Sequence, residues 1–229
     1  MIELVSRKEV LDQAGNLAQE IAHIQNLMFE DDPELFENEQ DQMQYGQMFD
    51  LSDFKISTVQ KTYKIVSLNH TDIQTFSSRL SKLLFTTLAQ LGVDKIYIIS
   101  HLKMNFFGAN LKHSFAPIKS AYKKLKSITG GDFFDGAFIV NVEDLPELLE
   151  IAFWIERCDA SAPEFIFFHD NKDRFTFYLC NRGCIHLIEY GNELLSSEIL
   201  KNSEFSKVEG KCNDKFGNGK IEGRITSAR

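Results

Sequence analysis

Apolar residues recur at the spacing of an amphipathic helix in five stretches of the chain. In the first, residues 8–28, apolar side chains follow one another at intervals of four and three residues and form one stripe. Ser6, with Glu9 three residues later, fits the capping box with which such a helix begins. The same periodicity predicts helices over residues 71–91, 116–128, 143–158 and 192–200.

Short runs rich in β-branched and aromatic residues lie between these helices and predict strands. The runs are residues 55–68, 95–100, 136–142, 165–169, 174–180 and 184–190. Up to residue 158 strands alternate with helices, an order that favours parallel strands joined by crossover connections. The last three strands follow one another with very short connections, which predict antiparallel hairpins.

Together these elements predict an α+β fold. Its mixed sheet has a parallel strand–helix–strand part followed by an antiparallel three-strand meander, and helices pack on it; a three-layer α/β arrangement is the alternative. Three regions follow from the pattern: an N-terminal helix and acidic segment (1–54), a mixed α/β core domain (55–202) and a mobile polar tail (203–229). The tail is predicted because this segment has four glycines and no periodicity.

The composition is typical of a globular protein, since 43% of the residues are hydrophobic. No apolar run approaches the roughly 18–20 residues that a membrane-spanning helix needs, and the first residues lack the pattern of a secretory signal. Four cysteines in 229 residues are too few for a disulfide framework. We therefore expect a cytoplasmic protein with no membrane partner.

The net charge of −8 is concentrated in one segment of the chain. Between Lys8 and Lys55 there is no Lys or Arg and there are twelve acidic residues, so the rest of the chain carries a net charge of +4. A field of this sign repels nucleic acid and anionic lipid and attracts basic protein surfaces. The predicted partner-binding residues share this segment: Glu30, Asp31, Asp32, Glu34, Glu37 and Glu39.

The familiar catalytic and cofactor-binding signatures are absent from the sequence. It contains no phosphate-binding loop that ends in Gly-Lys-Ser/Thr, no Gly-x-Ser-x-Gly elbow and no Cys-x-x-Cys pair. We therefore predict no catalytic residue and no cofactor. The lysines of the helix over 116–128 form only a modest basic patch in an acidic chain, so no nucleic-acid partner is expected.

One group of metal-ligand residue types can be placed by strand geometry. If residues 181–183 form a three-residue hairpin loop, Cys180 lies across from Cys184, and strand alternation puts His186 on the same face. Two thiolates and one imidazole are one ligand short of a closed structural zinc site. Cys180, Cys184 and His186 are therefore weak metal candidates, and we expect ordinary buried thiols. A disulfide between adjacent strands would be strained.

Three functional hypotheses remain. The favoured one is a cytosolic protein-binding module whose acidic surface binds and inhibits a basic partner, by analogy of charge and size with immunity proteins. The first alternative is an enzyme with a small-molecule site near His101, at the carboxyl end of a strand, with His113 or Asp132 beside it. The second is a homo-oligomeric structural protein in which the stripe of the first helix pairs two chains. The oligomeric state is left open.

Overall fold

The structure is a computed structural model that describes residues 1–31, 43, 47–50, 59–108 and 115–216, without the side chains of residues 29–31. In these residues eight strands form one sheet, in the order β1-β4-β3-β5-β6-β7-β2-β8. The strands are β1 Ile2–Val5, β2 Lys61–Leu68, β3 Lys95–Ser100, β4 Ala137–Asn141, β5 Ile166–Asp170, β6 Phe175–Leu179, β7 Cys184–Tyr190 and β8 Phe205–Lys207. The helices are α1 Arg7–Gln13, α2 Gly15–Asp31, α3 Ile73–Gln90, α4 Ala116–Thr129, α5 Leu145–Cys158 and α6 Leu195–Lys201.

The fold is mixed α+β, as predicted, but the predicted parallel part of the sheet is wrong. Every pair of neighbouring strands in the described sheet is antiparallel. The strand–helix–strand order misleads first because β2 and β3 are not neighbours: β2 pairs with β7 and β8, at the other end of the sheet from β3. The predicted antiparallel meander of β5, β6 and β7 is confirmed.

The connection between β3 and β4 shows the second reason. It contains α4, yet its two ends meet at the same end of the strands, where Phe106 N donates to Phe134 O at 2.8 Å. The Asn105 side chain also accepts a hydrogen bond from Phe134 N at 2.9 Å. The chain therefore leaves β3 and enters β4 at the same end of the sheet. β4 runs antiparallel to β3, and the connection does not cross over the sheet.

The sheet is covered by helices on both faces. Ile96 and Ile98 of β3 belong to the larger core cluster, which also contains the apolar faces of α3, α4 and α5. Tyr97 and Ile99 point to the opposite face and pack with apolar residues of α1 and α2. The short apolar run of β3 is thus buried on both sides, as a strand in the middle of a covered sheet requires. Among the described residues no helix combines the length and apolarity needed to cross a membrane.

The N-terminal region forms a strand and two helices where one helix is predicted. β1 pairs with β4, and the helical stretch is interrupted at Ala14. The interruption coincides with Asp173, whose carboxylate accepts a hydrogen bond from Asn16 N at 3.2 Å and so caps the first turn of α2. The apolar stripe itself lies on the chain's own sheet, with Leu17 and Ile21 fully buried. The surface on which the homo-oligomer hypothesis depends is therefore already occupied.

The segment predicted as a tail contributes to the sheet. Phe205–Lys207 forms β8, which pairs with β2 at the edge of the sheet. Val208 N then donates to Ile65 O at 2.9 Å, and the following residues up to Phe216 continue across the end of the β6–β7 hairpin. We call residues 208–216 the C-terminal segment. Residues 217–229 lie outside the described part of the chain.

Candidate functional site

The β6–β7 hairpin has the geometry that the sequence predicts. Cys180 N donates to Cys184 O at 3.0 Å, and Gly183 N donates to Cys180 O at 2.8 Å. Gly183 adopts the left-handed φ of 78° that closes a three-residue hairpin loop. Cys180 and Cys184 therefore lie opposite each other, and His186, two residues further along β7, projects from the same face.

The C-terminal segment brings a fourth residue to this face. Cys212 Sγ lies 3.8 Å from His186 Nε2, and the ligand atoms of Cys180, His186 and Cys212 all lie within 4.8 Å of one another. Cys184 lies opposite Cys180 in the hairpin, and its thiol interacts electrostatically with those of Cys180 and Cys212. We call Cys180, Cys184, His186 and Cys212 the thiol cluster. The predicted ligand set lacks Cys212, because residue 212 lies in the segment predicted as a tail.

Several contacts hold the C-terminal segment on the hairpin. The Arg182 guanidinium donates to Cys212 O, and the fully buried Arg157 of α5 pairs with Asp214 at 3.3 Å. The same Arg157 side chain donates to Asn181 O in the hairpin loop and lies 4.5 Å from the centre of the Phe216 ring. The segment is thus tied to the hairpin loop and to the helix beneath it.

Lys215 supplies a positive charge next to the cluster. Its ammonium donates to Ser67 Oγ and Leu68 O, both at 2.8 Å, and to Gly183 O at 3.3 Å. Burial lowers the pKa of Lys215, while the nearby thiols of Cys184 and Cys180 act in the opposite direction. A half-buried cation fixed here favours negative charge on the sulfurs.

The three thiols of the cluster titrate as one unit. Interactions with the thiols of Cys184 and Cys212 lower the pKa of Cys180, while the interaction with Cys180, together with burial, raises the pKa values of Cys184 and Cys212. The cluster therefore loses its first proton readily and holds the remaining ones. Cys158 lies elsewhere in the core, and burial raises the pKa of its thiol to about 12.

The imidazole of His186 is held by an aromatic neighbour. Its ring stacks on Tyr178, with the ring centres 4.6 Å apart and the planes at 8°. Burial raises the pKa of the Tyr178 phenol to about 12, so this ring is a neutral, apolar platform at ordinary pH. The stack fixes the direction of the imidazole and leaves Nε2 aimed at Cys212.

Ser100 and His101 belong to a buried polar network. Arg7 donates to Ser100 Oγ at 3.0 Å and to Ser100 O at 2.8 Å. Gln25 donates to His101 O at 2.8 Å, while the His101 ring Nδ1 accepts from Phe165 N at 3.2 Å. His101 is only 3% exposed, and its Nδ1 atom is occupied by the backbone of Phe165.

Of the two residues predicted beside His101, the structure describes Asp132, which has a different partner. Asp132 pairs with Lys126 at 3.1 Å on an exposed surface, and that contact lowers the pKa of its carboxyl. His113 lies outside the described residues. No described contact joins His101 to either of them.

The acidic segment is described only in part. Asp32, Glu34, Glu37 and Glu39 lie outside the described residues, as do the side chains of Glu30 and Asp31 at the end of α2. Of the four acidic side chains described between Lys8 and Lys55, three form ion pairs within the chain. The pairs are Asp12 with Lys8 at 2.6 Å, Glu20 with Lys61 at 2.5 Å and Asp50 with Arg7 at 2.6 Å.

Comparisons with known proteins provide no relative from which a function can be transferred. No family model, no curated protein and no solved structure matches this chain significantly. A fold of this class also hosts many unrelated activities. The function has to be argued from the residues themselves.

Proposed function

We propose that this protein is a binding module that uses its acidic segment to bind, and thereby inhibit, a basic partner protein. The observation that carries the proposal is the distribution of charge. Arg7, Lys8 and Lys61 form ion pairs with three described carboxylates, all of which lie outside residues 30–39 in the sequence. The sequence between Lys8 and Lys55 contains no Lys or Arg with which the six carboxylates from Glu30 to Glu39 could pair.

The end of α2 supports the proposal. A helix carries a partial negative charge at its C-terminus, and basic side chains are favourable there. The last turn of α2 has no basic residue, and its final residues are Glu30 and Asp31. These acids are unfavourable for the helix, and a binding role accounts for their position.

Apolar side chains precede these acids in the sequence. Leu27 and Met28 are 43% and 41% exposed, although the rest of the helix buries its apolar stripe. An apolar contact rimmed by like charge is the arrangement of many protein-binding surfaces, in which the apolar part gives affinity and the charged rim gives rate and specificity. The same charge disfavours nucleic acid and anionic lipid as partners. We also propose a cytoplasmic location, with which the four free cysteines agree.

The test begins with affinity capture of the partner from native cells and continues with association kinetics of the purified pair. One variant neutralises Glu30, Asp31, Asp32, Glu34, Glu37 and Glu39 to the corresponding amides. We expect its association rate at low salt to fall by at least about tenfold, since electrostatic steering accounts for factors of this size. High salt should slow the unmodified protein towards the same rate.

A matched control separates position from total charge. It neutralises six exposed acids elsewhere, so that the net charge changes equally: Asp94, Asp132, Glu143, Glu147, Glu164 and Glu209. This control should change the association rate by less than about threefold, because it leaves the acidic segment intact and changes only the net charge. Equal slowing by both variants, or no slowing by the first, would refute the proposal.

A further inference from the structure

We infer that the thiol cluster is a structural zinc site, in which Cys180, Cys184, His186 and Cys212 bind one Zn²⁺ per chain. Three cysteines and one histidine form one of the standard ligand sets of tetrahedral structural zinc. The first two ligands have the spacing Cys-x-x-x-Cys across a tight turn, which is also typical of such sites. The fourth ligand comes from the C-terminal segment, so the site joins two distant parts of the chain.

The distances fit this ion. With Zn–S bonds of about 2.3 Å and Zn–N bonds of about 2.0–2.1 Å, tetrahedral ligands lie about 3.8 Å apart for two sulfurs and about 3.6 Å apart for sulfur and nitrogen. The observed separation of Cys212 Sγ and His186 Nε2 is 3.8 Å. The ligand atoms of Cys180, His186 and Cys212 all lie within 4.8 Å of one another, and Cys184 lies opposite Cys180 at the end of the same hairpin.

The surroundings of the cluster also suit zinc. Cys184 and Cys212 are buried, at 2% and 7% exposure, and four protein ligands leave no position for water or substrate. The site is therefore closed and structural. Soft thiolates with one imidazole disfavour Mg²⁺ and Ca²⁺, which prefer oxygen ligands.

Charge and protons balance around the ion. Zn²⁺ with three thiolates and a neutral imidazole carries one net negative charge, and the half-buried Lys215 ammonium beside the cluster offsets it. Binding to the protonated cluster releases up to three thiol protons into solution. Zinc binding is therefore expected to weaken as the pH falls, because protons compete for the sulfurs.

A disulfide is the competing use of these thiols. It would join only two of the three sulfurs and leave the third thiol and the imidazole facing each other. The closest pair along the chain, Cys180 and Cys184, lies on adjacent strands, where disulfide geometry is strained. The arrangement of the Cys180, His186 and Cys212 ligand atoms around one point favours the metal.

The test uses the full chain, stripped of metal at low pH and returned to neutral pH with a phosphine reductant. Titration with Co²⁺ should produce the visible bands of tetrahedral cobalt and sulfur-to-cobalt charge transfer, saturating at one equivalent. Zn²⁺ should then abolish these bands, because it binds such sites more tightly than Co²⁺ does. Protein isolated from zinc-containing medium should hold one zinc per chain by elemental analysis.

Variants assign the ligands. Cys212→Ser and His186→Ala should each weaken Co²⁺ binding by at least about 100-fold, since even indirect partners of metal ligands cost 10–100-fold. His186→Cys should keep tight binding with stronger charge transfer from sulfur, which keeps the test valid if the alanine variant fails to fold. Cys158→Ala is the matched control, because Cys158 is an equally buried thiol outside the cluster.

Three outcomes would overturn the inference. The first is the absence of sulfur-to-cobalt charge transfer in the reduced chain. The second is an equal loss of binding in Cys158→Ala and Cys212→Ser. The third is a disulfide between two cluster thiols, with no zinc, in protein alkylated directly in the lysate of zinc-supplied cells.

Discussion

Replacing Arg7 with methionine tests how the N-terminal region is anchored to the sheet. Arg7 is 4% exposed and makes a forked contact with Asp50, from Nε at 2.9 Å and from Nη2 at 2.6 Å. It also donates to the hydroxyl and the carbonyl oxygen of Ser100. Methionine keeps the apolar stem and removes all of these donors at once.

The size of the effect follows from what the substitution leaves behind. Asp50 is only 11% exposed and would lose its counter-charge in a poorly solvated position. Breaking one side of a buried ion pair costs about 3–5 kcal/mol. An unsatisfied Ser100 carbonyl costs a further 1–3 kcal/mol by itself, although the two costs overlap in a shared site, so we expect about 4 kcal/mol in total. A domain stable by about 5–15 kcal/mol would be left marginal.

Urea unfolding monitored by the fluorescence of Trp154 measures the change. Lys8→Met is the control, because Lys8 pairs with Asp12 on the surface, with 80% and 59% of the two side chains exposed. That pair should contribute less than about 0.5 kcal/mol. Combining Arg7→Met with Asp50→Asn should cost about 2 kcal/mol less than the sum of the two single changes, because no unpaired charge remains. Equal effects of Arg7→Met and Lys8→Met would refute the reasoning.

Two further predictions concern the hairpin. Gly183→Ala should destabilise the protein by more than about 1 kcal/mol, because φ is 78° and the new Cβ would lie 2.8 Å from the Phe216 ring. The control is Gly131→Ala, which has open space around the new Cβ and should change the midpoint of urea unfolding little. Folding raises the pKa of Tyr178 from 10.0 to about 12, so the unfolded chain ionises first and stability falls as the pH rises from about 10 to 12. In Tyr178→Phe this part of the fall, measured by urea unfolding across that range, should be missing; an unchanged slope would contradict the assignment.

Local pattern predicts most of the elements and the two-sided burial of the sheet. The strand bounds of β3 and β7 follow from the sequence as the structure has them, because apolar and polar residues switch sharply at Lys95, Ser100, Cys184 and Tyr190. The face shared by Cys180, Cys184 and His186 follows from one hairpin loop and the alternation of side chains. These features depend on neighbours within a few residues, where steric preferences act.

Long-range features were not predictable in the same way. Strand alternation with helices leaves open whether a connection crosses the sheet or returns to its starting edge, and the contact of Phe106 with Phe134 that decides this joins residues far apart in sequence. β1 is too short for a periodic signal. Cys212 lies in a polar stretch with no secondary structure around it. The available sign was that a closed zinc site lacked a single ligand while two cysteines, Cys158 and Cys212, remained outside the predicted set.

The energetics of the C-terminal segment explain why a metal is needed there. Fixing its nine residues, 208–216, costs about 1–2 kcal/mol each in backbone entropy, or on the order of 10–15 kcal/mol in total. Burial of Phe216 and Cys212 contributes about 3–4 kcal/mol, and the hydrogen bonds of Lys215 and the Asp214 pair add about 1 kcal/mol each. The remaining several kcal/mol are less than the apparent binding free energy of structural zinc, about 10–16 kcal/mol, so zinc can supply them. Chelation should therefore release this segment while the sheet stays folded, and trypsin should then cleave after Lys211 faster than in the zinc-bound chain.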